Sequence, residues 1–164
     1  MAKPSLSAKV LTALAGKRLA TAESLTGGGI GQAITSVSGA SAVFAGGIIS
    51  YTNEVKHKVL GVPVEILDAY GPVCAPVAQA MAEGARRVLG CDIAISSTGV
   101  AGPDKDDRGN EVGTMFVALA TPDGSYVRPL TLGMCPMRER LRIQTAHHAF
   151  DLARRYLSGL PYEG

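Results

Sequence analysis

Lys56 is the residue with the most chemical promise in this chain of 164 residues. It stands in "YTNEVKHKVLG", where Thr52 or Asn53 caps a short helix and puts the lysine at its third or fourth position. Unsatisfied backbone N–H groups and the positive end of the helix dipole disfavour a cation there, and burial would act in the same direction. A lysine whose pKa falls becomes a usable general base. It needs a hydroxyl to deprotonate. Ser41 precedes the neighbouring strand and Tyr51 ends it, so Ser41, Tyr51 and Lys56 converge only if the strand returns the chain to one rim. The alternative is a surface lysine that snorkels to solvent, and the residues alone leave both readings open.

Two glycine-rich turns have the character of anion sites. "TGGGIG" precedes a helix, where glycine permits close approach and orphan N–H groups point at whatever binds. "SSTGVAGPD" follows an apolar strand, and in open α/β sheets ligands lie beyond the carboxyl ends of strands. Neither matches the P-loop or dinucleotide spacing, and either turn alone is more often a matter of packing glycines than a phosphate cradle. Metal chemistry is not indicated, because His57, His147 and His148 have no ligand spacing. Asp104, Asp106 and Asp107 lack the oxygen pattern and terminal glutamate of a calcium loop.

Composition narrows the remaining classes. With 46% apolar and 18% charged residues, the chain reads as one folded domain over 1–164. A net charge of +2 is too small to favour nucleic acid or membrane as a partner. Locally basic residues, Arg138, Arg140, Arg142, Arg154 and Arg155, fall at spacings expected of a solvated helix face. Cys74, Cys91 and Cys135 are too far apart for a disulfide framework or zinc site and fit a reduced cytoplasmic setting. No signal peptide is expected, and no run reaches the roughly 18 apolar residues of a membrane span.

The elements that must position these residues are legible from periodicity. A first helix, "SLSAKVLTALAGK", has Ser5 as its cap and Gly16 as its stop. Next come a short strand "RLATAES", a glycine-entered helix, and "AVFAGGIISYT", a strand whose glycines predict a bulge or close approach. "APVAQAMAEGARRVLG" is an amphipathic helix leading into "CDIAISSTG", a strand buried on both faces. The polar loop "VAGPDKDDRGNEV" is the segment most able to move. "PDGS" joins two strands as a hairpin, and a long helix ends the pattern. The expected fold is α/β, a three-layer α/β/α sandwich with a mixed, mainly parallel sheet and a C-terminal antiparallel hairpin.

Six blocks, "TAESLTGGGIGQAITSVSGAS", "GGIISYTNEVKHKVLGV", "GPVCAPVAQAMAEGAR", "SSTGVAGPD", "VGTMFVALA" and the arginine-rich final helix, together resemble the C-terminal domain of the CinA (competence/damage-inducible) family. The resemblance covers about residues 5 to 157. Free-standing members of that family are nicotinamide-nucleotide amidases of the PncC type. The resemblance therefore implies hydrolysis of nicotinamide mononucleotide to nicotinate mononucleotide and ammonia, in pyridine-nucleotide recycling, with no cofactor and no metal. It implies a reacting serine and lysine with a nearby tyrosine, which fall on Ser41, Lys56 and Tyr51. Leu25 stands where many relatives have cysteine, which removes a thiol nucleophile. Ala40 precedes Ser41 where many have a second serine. Ser24 remains a rival nucleophile or a substrate contact, and Asn53 is a further substrate contact. Thr26, Gly27, Gly28, Thr98, Gly99, Arg138 and Arg142 are the candidates for the substrate phosphate. The larger N-terminal domain of full-length CinA proteins has no counterpart in these residues, so activity is expected of this domain alone. A homodimer is expected. The competing reading is a non-catalytic, regulatory module that binds a pyridine nucleotide without turning it over.

Overall fold

The structure, a computed structural model, describes residues 2–133 and 137–162; Cys135 lies outside them. Among the described residues the chain runs α1 (Leu6–Leu14), β1 (Leu19–Glu23), α2 (Gly29–Thr35), a single 3-10 turn (Ala40–Ala42), β2 (Phe44–Ile49) and α3 (Asn53–Leu60). It continues through α4 (Val64–Tyr70), α5 (Ala75–Leu89), β3 (Ile93–Gly99), β4 (Thr114–Thr121), β5 (Gly124–Thr131) and α6 (Arg138–Leu157). The strands form one sheet in the order β2-β1-β3-β4-β5. β1 lies parallel to both β2 and β3, while β4 is antiparallel to β3 and β5, so only β4 runs against the rest. The hairpin expected at "PDGS" closes with Thr121 opposite Gly124.

Alternation along the strands sorts the two faces by size. Leu19, Ile93, Ile95, Met115, Val117 and Leu119 pack with Val10 and Leu14 of α1, Ile30 and Ile34 of α2, and Leu141 and Phe150 of α6. The opposite face presents Ala20, Ala22 and Ala94 to Val77, Met81 and Ala85 of α5, and Ala118 and Ala120 to Ala78 and Ala82. Small residues on both sides of this contact let α5 lie close to the sheet. The three-layer sandwich follows directly from that sorting.

Two local expectations gain physical detail. The bulge falls where Leu19 faces Phe44 but Ala20 faces Gly46, leaving Ala45 as the extra residue. Ser5 caps α1 by accepting the Ala8 N–H, but Ala15, at φ 50, takes the left-handed position that ends it, one residue before Gly16. α5 also carries α3 on its outer side through Gly84. A Cβ there would lie 2.1 Å from the Leu60 carbonyl oxygen. Helix propensity favours alanine over glycine by about 1 kcal/mol, whereas overpacking against backbone costs about 1–3 kcal/mol or more. The clash wins, so Gly84→Ala is expected to lower stability by about 2 kcal/mol in denaturant unfolding. An unchanged midpoint would contradict this packing.

Candidate active site

Topology picks out one crevice. From β1 the chain passes through α2 to β2 on one side; from β3 it passes to β4 on the other. The carboxyl ends of β1 and β3 therefore part at a switch point, where open α/β sheets bind their ligands. Ser24 follows β1 there. Its N–H donates to Ser97 O of β3 at 3.0 Å, and the Ser50 N–H donates to Glu23 O at 2.8 Å, so Ser24 extends the centre of the sheet. Strand alternation turns Glu23 toward α2 and the next residue, Ser24, toward α3.

Lys56 meets it from α3. Thr52 caps this helix, accepting the Val55 N–H at 3.3 Å, which makes Lys56 the fourth helical residue. Lys56 and Leu60, one turn apart, form its buried stripe, and Lys56 is only 1% exposed. The Lys56 Nζ lies 2.9 Å from Ser24 Oγ and donates to the carbonyls of Ser50 at 2.8 Å and Tyr51 at 3.3 Å. Burial lowers its pKa from the usual 10.5 to about 8. The three contacts match the three donors of the ammonium, and the uncharged amine keeps the same partners. In the uncharged form its two N–H groups would serve the two carbonyls and leave the lone pair for the Ser24 hydroxyl.

The convergence of Ser41 with Lys56 is not formed. Ser41 sits in the 3-10 turn before β2, exposed, in a shallow hollow lined by Thr35, Val37, Ser38 and Phe44. Lys56 lies beyond the other end of that strand, and a six-residue strand spans roughly 20 Å. The sequence reading required the strand to bring both ends to one rim, which an extended strand does not do. Tyr51 touches Lys56 through its carbonyl only; its hydroxyl accepts from Arg138 Nη2 at 3.1 Å.

Ser24, Leu25, Tyr51, Lys56, Thr98, Gly99 and Arg138 share a cavity of about 440 Å³. Thr26, Gly27, Gly28, Asn53 and Arg142 do not line it. The α2 entrance is already filled, because the Glu23 carboxylate, 2% exposed, accepts the N–H groups of Ile30 at 2.8 Å and Gly31 at 3.0 Å. Thr26 Oγ1 is paired with Ser97 Oγ at 2.7 Å. Gly99 is a packing glycine, since a Cβ would meet Met115 Sδ at 2.1 Å. A second cavity, about 450 Å³, lies between α1, α2 and α6 and includes Arg142 and His147, but lacks a nucleophile paired with a base.

Sequence comparison matches residues 4–157 to the CinA C-terminal domain. This chain belongs to the CinA C-terminal domain family. It is 44% identical over 155 residues to a CinA-like protein of Parasynechococcus marenigrum, covering 93% of this chain and 37% of that protein. Over 142 residues it is 46% identical to a CinA-like protein of Geobacter sulfurreducens, covering 87% and 34%. The chain thus spans about a third of the length of the curated relatives it matches. Crystal structures agree in fold. A CinA superfamily protein of Klebsiella pneumoniae superposes with a TM-score of 0.89 at 29% identity, covering 94% of this chain and 96% of that one. The competence/damage inducible protein CihA of Agrobacterium tumefaciens gives 0.88 at 31% identity, covering 96% and 99%.

The CinA cavity is also lined by aspartates that the sequence offered as part of a mobile loop and weighed, without support, as metal ligands. Asp104, Asp106 and Asp107 line it together with Arg138, whose Nη1 donates to Gly102 O. Asp106 is spent on its own loop, accepting the N–H groups of Arg108 at 3.0 Å and Asn110 at 2.8 Å. Asp104 and Asp107 have no hydrogen bond or ion pair among the described residues. Arg108 anchors the loop by donating to the carbonyls of Leu67, Asp68 and Ala69 at the end of α4. No three His, Cys, Asp or Glu side chains among the described residues converge as a metal set. No described helix is long and apolar enough to cross a membrane. The arginines of α6 also depart from a purely solvated face. Arg154 and Arg155 pair with Asp151 at 2.9 and 2.8 Å, and Arg142 turns inward to the loop after β1.

Proposed function

We propose that this CinA domain is an amidohydrolase that converts nicotinamide mononucleotide to nicotinate mononucleotide and ammonia, with Ser24 as nucleophile and Lys56 as general base. The observation that carries the reading is the buried Lys56 amine, 2.9 Å from Ser24 Oγ, with its other hydrogens occupied by carbonyls. Neutral Lys56 takes the Ser24 proton as Oγ attacks the carboxamide carbon. The Lys56 ammonium then gives that proton to the leaving nitrogen, the C–N bond breaks, and ammonia departs from an ester on Ser24. Water attacks the ester, Lys56 takes its proton and returns it to Ser24 Oγ, and the acid leaves.

Oxyanion stabilisation falls to the N–H groups of Leu25 and Thr26. They follow the nucleophile directly and have no acceptor among the described residues. One such donor is worth about 3–4 kcal/mol in comparable acyl transfer. The substrate class follows from the family resemblance and from charge. Arg138, Asp104 and Asp107, charges of both signs in one cavity, suit a dipolar ligand, with an anionic phosphate and a cationic pyridinium ring.

The test is ammonia release by purified protein from nicotinamide mononucleotide and from free nicotinamide. The nucleotide is expected to react at least about 100-fold faster in kcat/KM, since nicotinamide lacks both charges. Equal rates would remove the substrate assignment. Binding of the nucleotide with no ammonia released would favour the non-catalytic reading.

A further inference from the structure

Arg142 was expected to meet substrate, yet its guanidinium is engaged by the protein. Nε donates to Leu25 O at 3.0 Å and Nη2 to Thr26 O at 2.9 Å. Both carbonyls belong to the turn that follows Ser24. These peptides are trans, the cis bond among the described residues being Gly102–Pro103. In a trans peptide the C=O and the following N–H point in opposite directions. Holding Leu25 O on α6 therefore turns the Thr26 N–H away from α6. The Gly27 N–H donates to Ser24 O at 3.1 Å, which draws that carbonyl into the turn and sends the Leu25 N–H the other way.

We propose that Arg142 is a positioning residue that sets the oxyanion donors. Its bond to Leu25 O fixes the plane of the peptide that carries the Thr26 N–H, and its bond to Thr26 O fixes the next peptide, whose Gly27 N–H holds Ser24 O and so sets the Leu25 N–H. A cation on the carbonyl side also polarises the peptide and strengthens its N–H as a donor. The inference rests on Ser24 being the nucleophile, and Ser24→Ala tests that separately.

The experiment compares kcat and KM for ammonia release from nicotinamide mononucleotide in Arg142→Ala and Arg142→Lys, across pH, with and without added ethylguanidinium. Arg142→Ala is expected to lose about 100-fold in kcat, the scale of one lost oxyanion donor, with KM changed by less than about threefold. The rate limb near pH 8 stays, because Lys56 keeps its surroundings. Arg142→Lys, which holds one carbonyl, falls between the two, and ethylguanidinium restores part of the rate in Arg142→Ala. A raised KM with kcat preserved would make Arg142 a phosphate ligand and overturn the proposal. So would loss of the pH limb without rescue, which marks a collapsed site. If Arg142→Ala does not fold, Arg142→Lys decides by the same split of kcat from KM.

Discussion

Ser24→Ala is expected to lower ammonia release from nicotinamide mononucleotide by roughly 10⁴-fold or more, the scale seen when an acyl-transfer site loses its nucleophile. The fold should survive. The substitution removes one oxygen and its contact with Lys56, while the backbone bonds that hold the Glu23–Ser24 peptide between Ser97 and Ser50 remain. Ser41→Ala provides the contrast. That hydroxyl is exposed at the far end of β2, and its loss should change the rate by less than about twofold, as for an ordinary surface change. Burst kinetics in the wild-type protein, or trapping of an ester on Ser24, would give the same answer independently. The opposite pattern, with activity lost at Ser41 and kept at Ser24, would end the Ser24 mechanism.

The second large effect is in pH. Because burial brings Lys56 to about 8, the neutral base is the minor form at pH 6 and the major form at pH 9. The rate should climb about tenfold per pH unit below 8 and level off above it. Stability moves in the same direction for a separate reason. Between about 8 and the usual 10.5, the unfolded chain holds a proton on Lys56 that the folded chain has released. The unfolded state binds more protons there, so stability rises with pH across that window, by up to about 3 kcal/mol. Below pH 8 both states are protonated and this contribution is flat. Lys56→Met should abolish turnover and remove this rise. A wild-type rate that stays flat from pH 6 to 9 would contradict a lysine base.

Much of this was legible in the sequence, and the exceptions share a cause. Periodicity exposed the helices, the bulged strand and the hairpin, since each signal is local. Lys56 stood out because a cation near a helix start conflicts with the local field. Its burial stripe with Leu60 was a second, unused clue that it faces inward. Its partner was misassigned because the choice between Ser24 and Ser41 depends on which strand ends share a rim. That is decided by sheet order, to which proximity along the chain is a poor guide. The glycine-rich turn misled in another way. A glutamate at the end of an apolar strand, seven residues before Ile30, was the sign that the helix start would be filled from within.

The attachment of Ser24 to strands on both sides has a mechanical consequence. The peptide joining Glu23 to Ser24 is hydrogen-bonded on one side to β3 and on the other to the residue after β2, so the Ser24 hydroxyl has less freedom to shift than one on an unpaired loop. The rest of the cavity is held by side chains instead, Arg108 tying the aspartate loop to the end of α4 and Arg138 tying it to α6. Substitutions at Arg108 or Arg138 should therefore alter which ligands are admitted while leaving the Ser24 hydroxyl where it is.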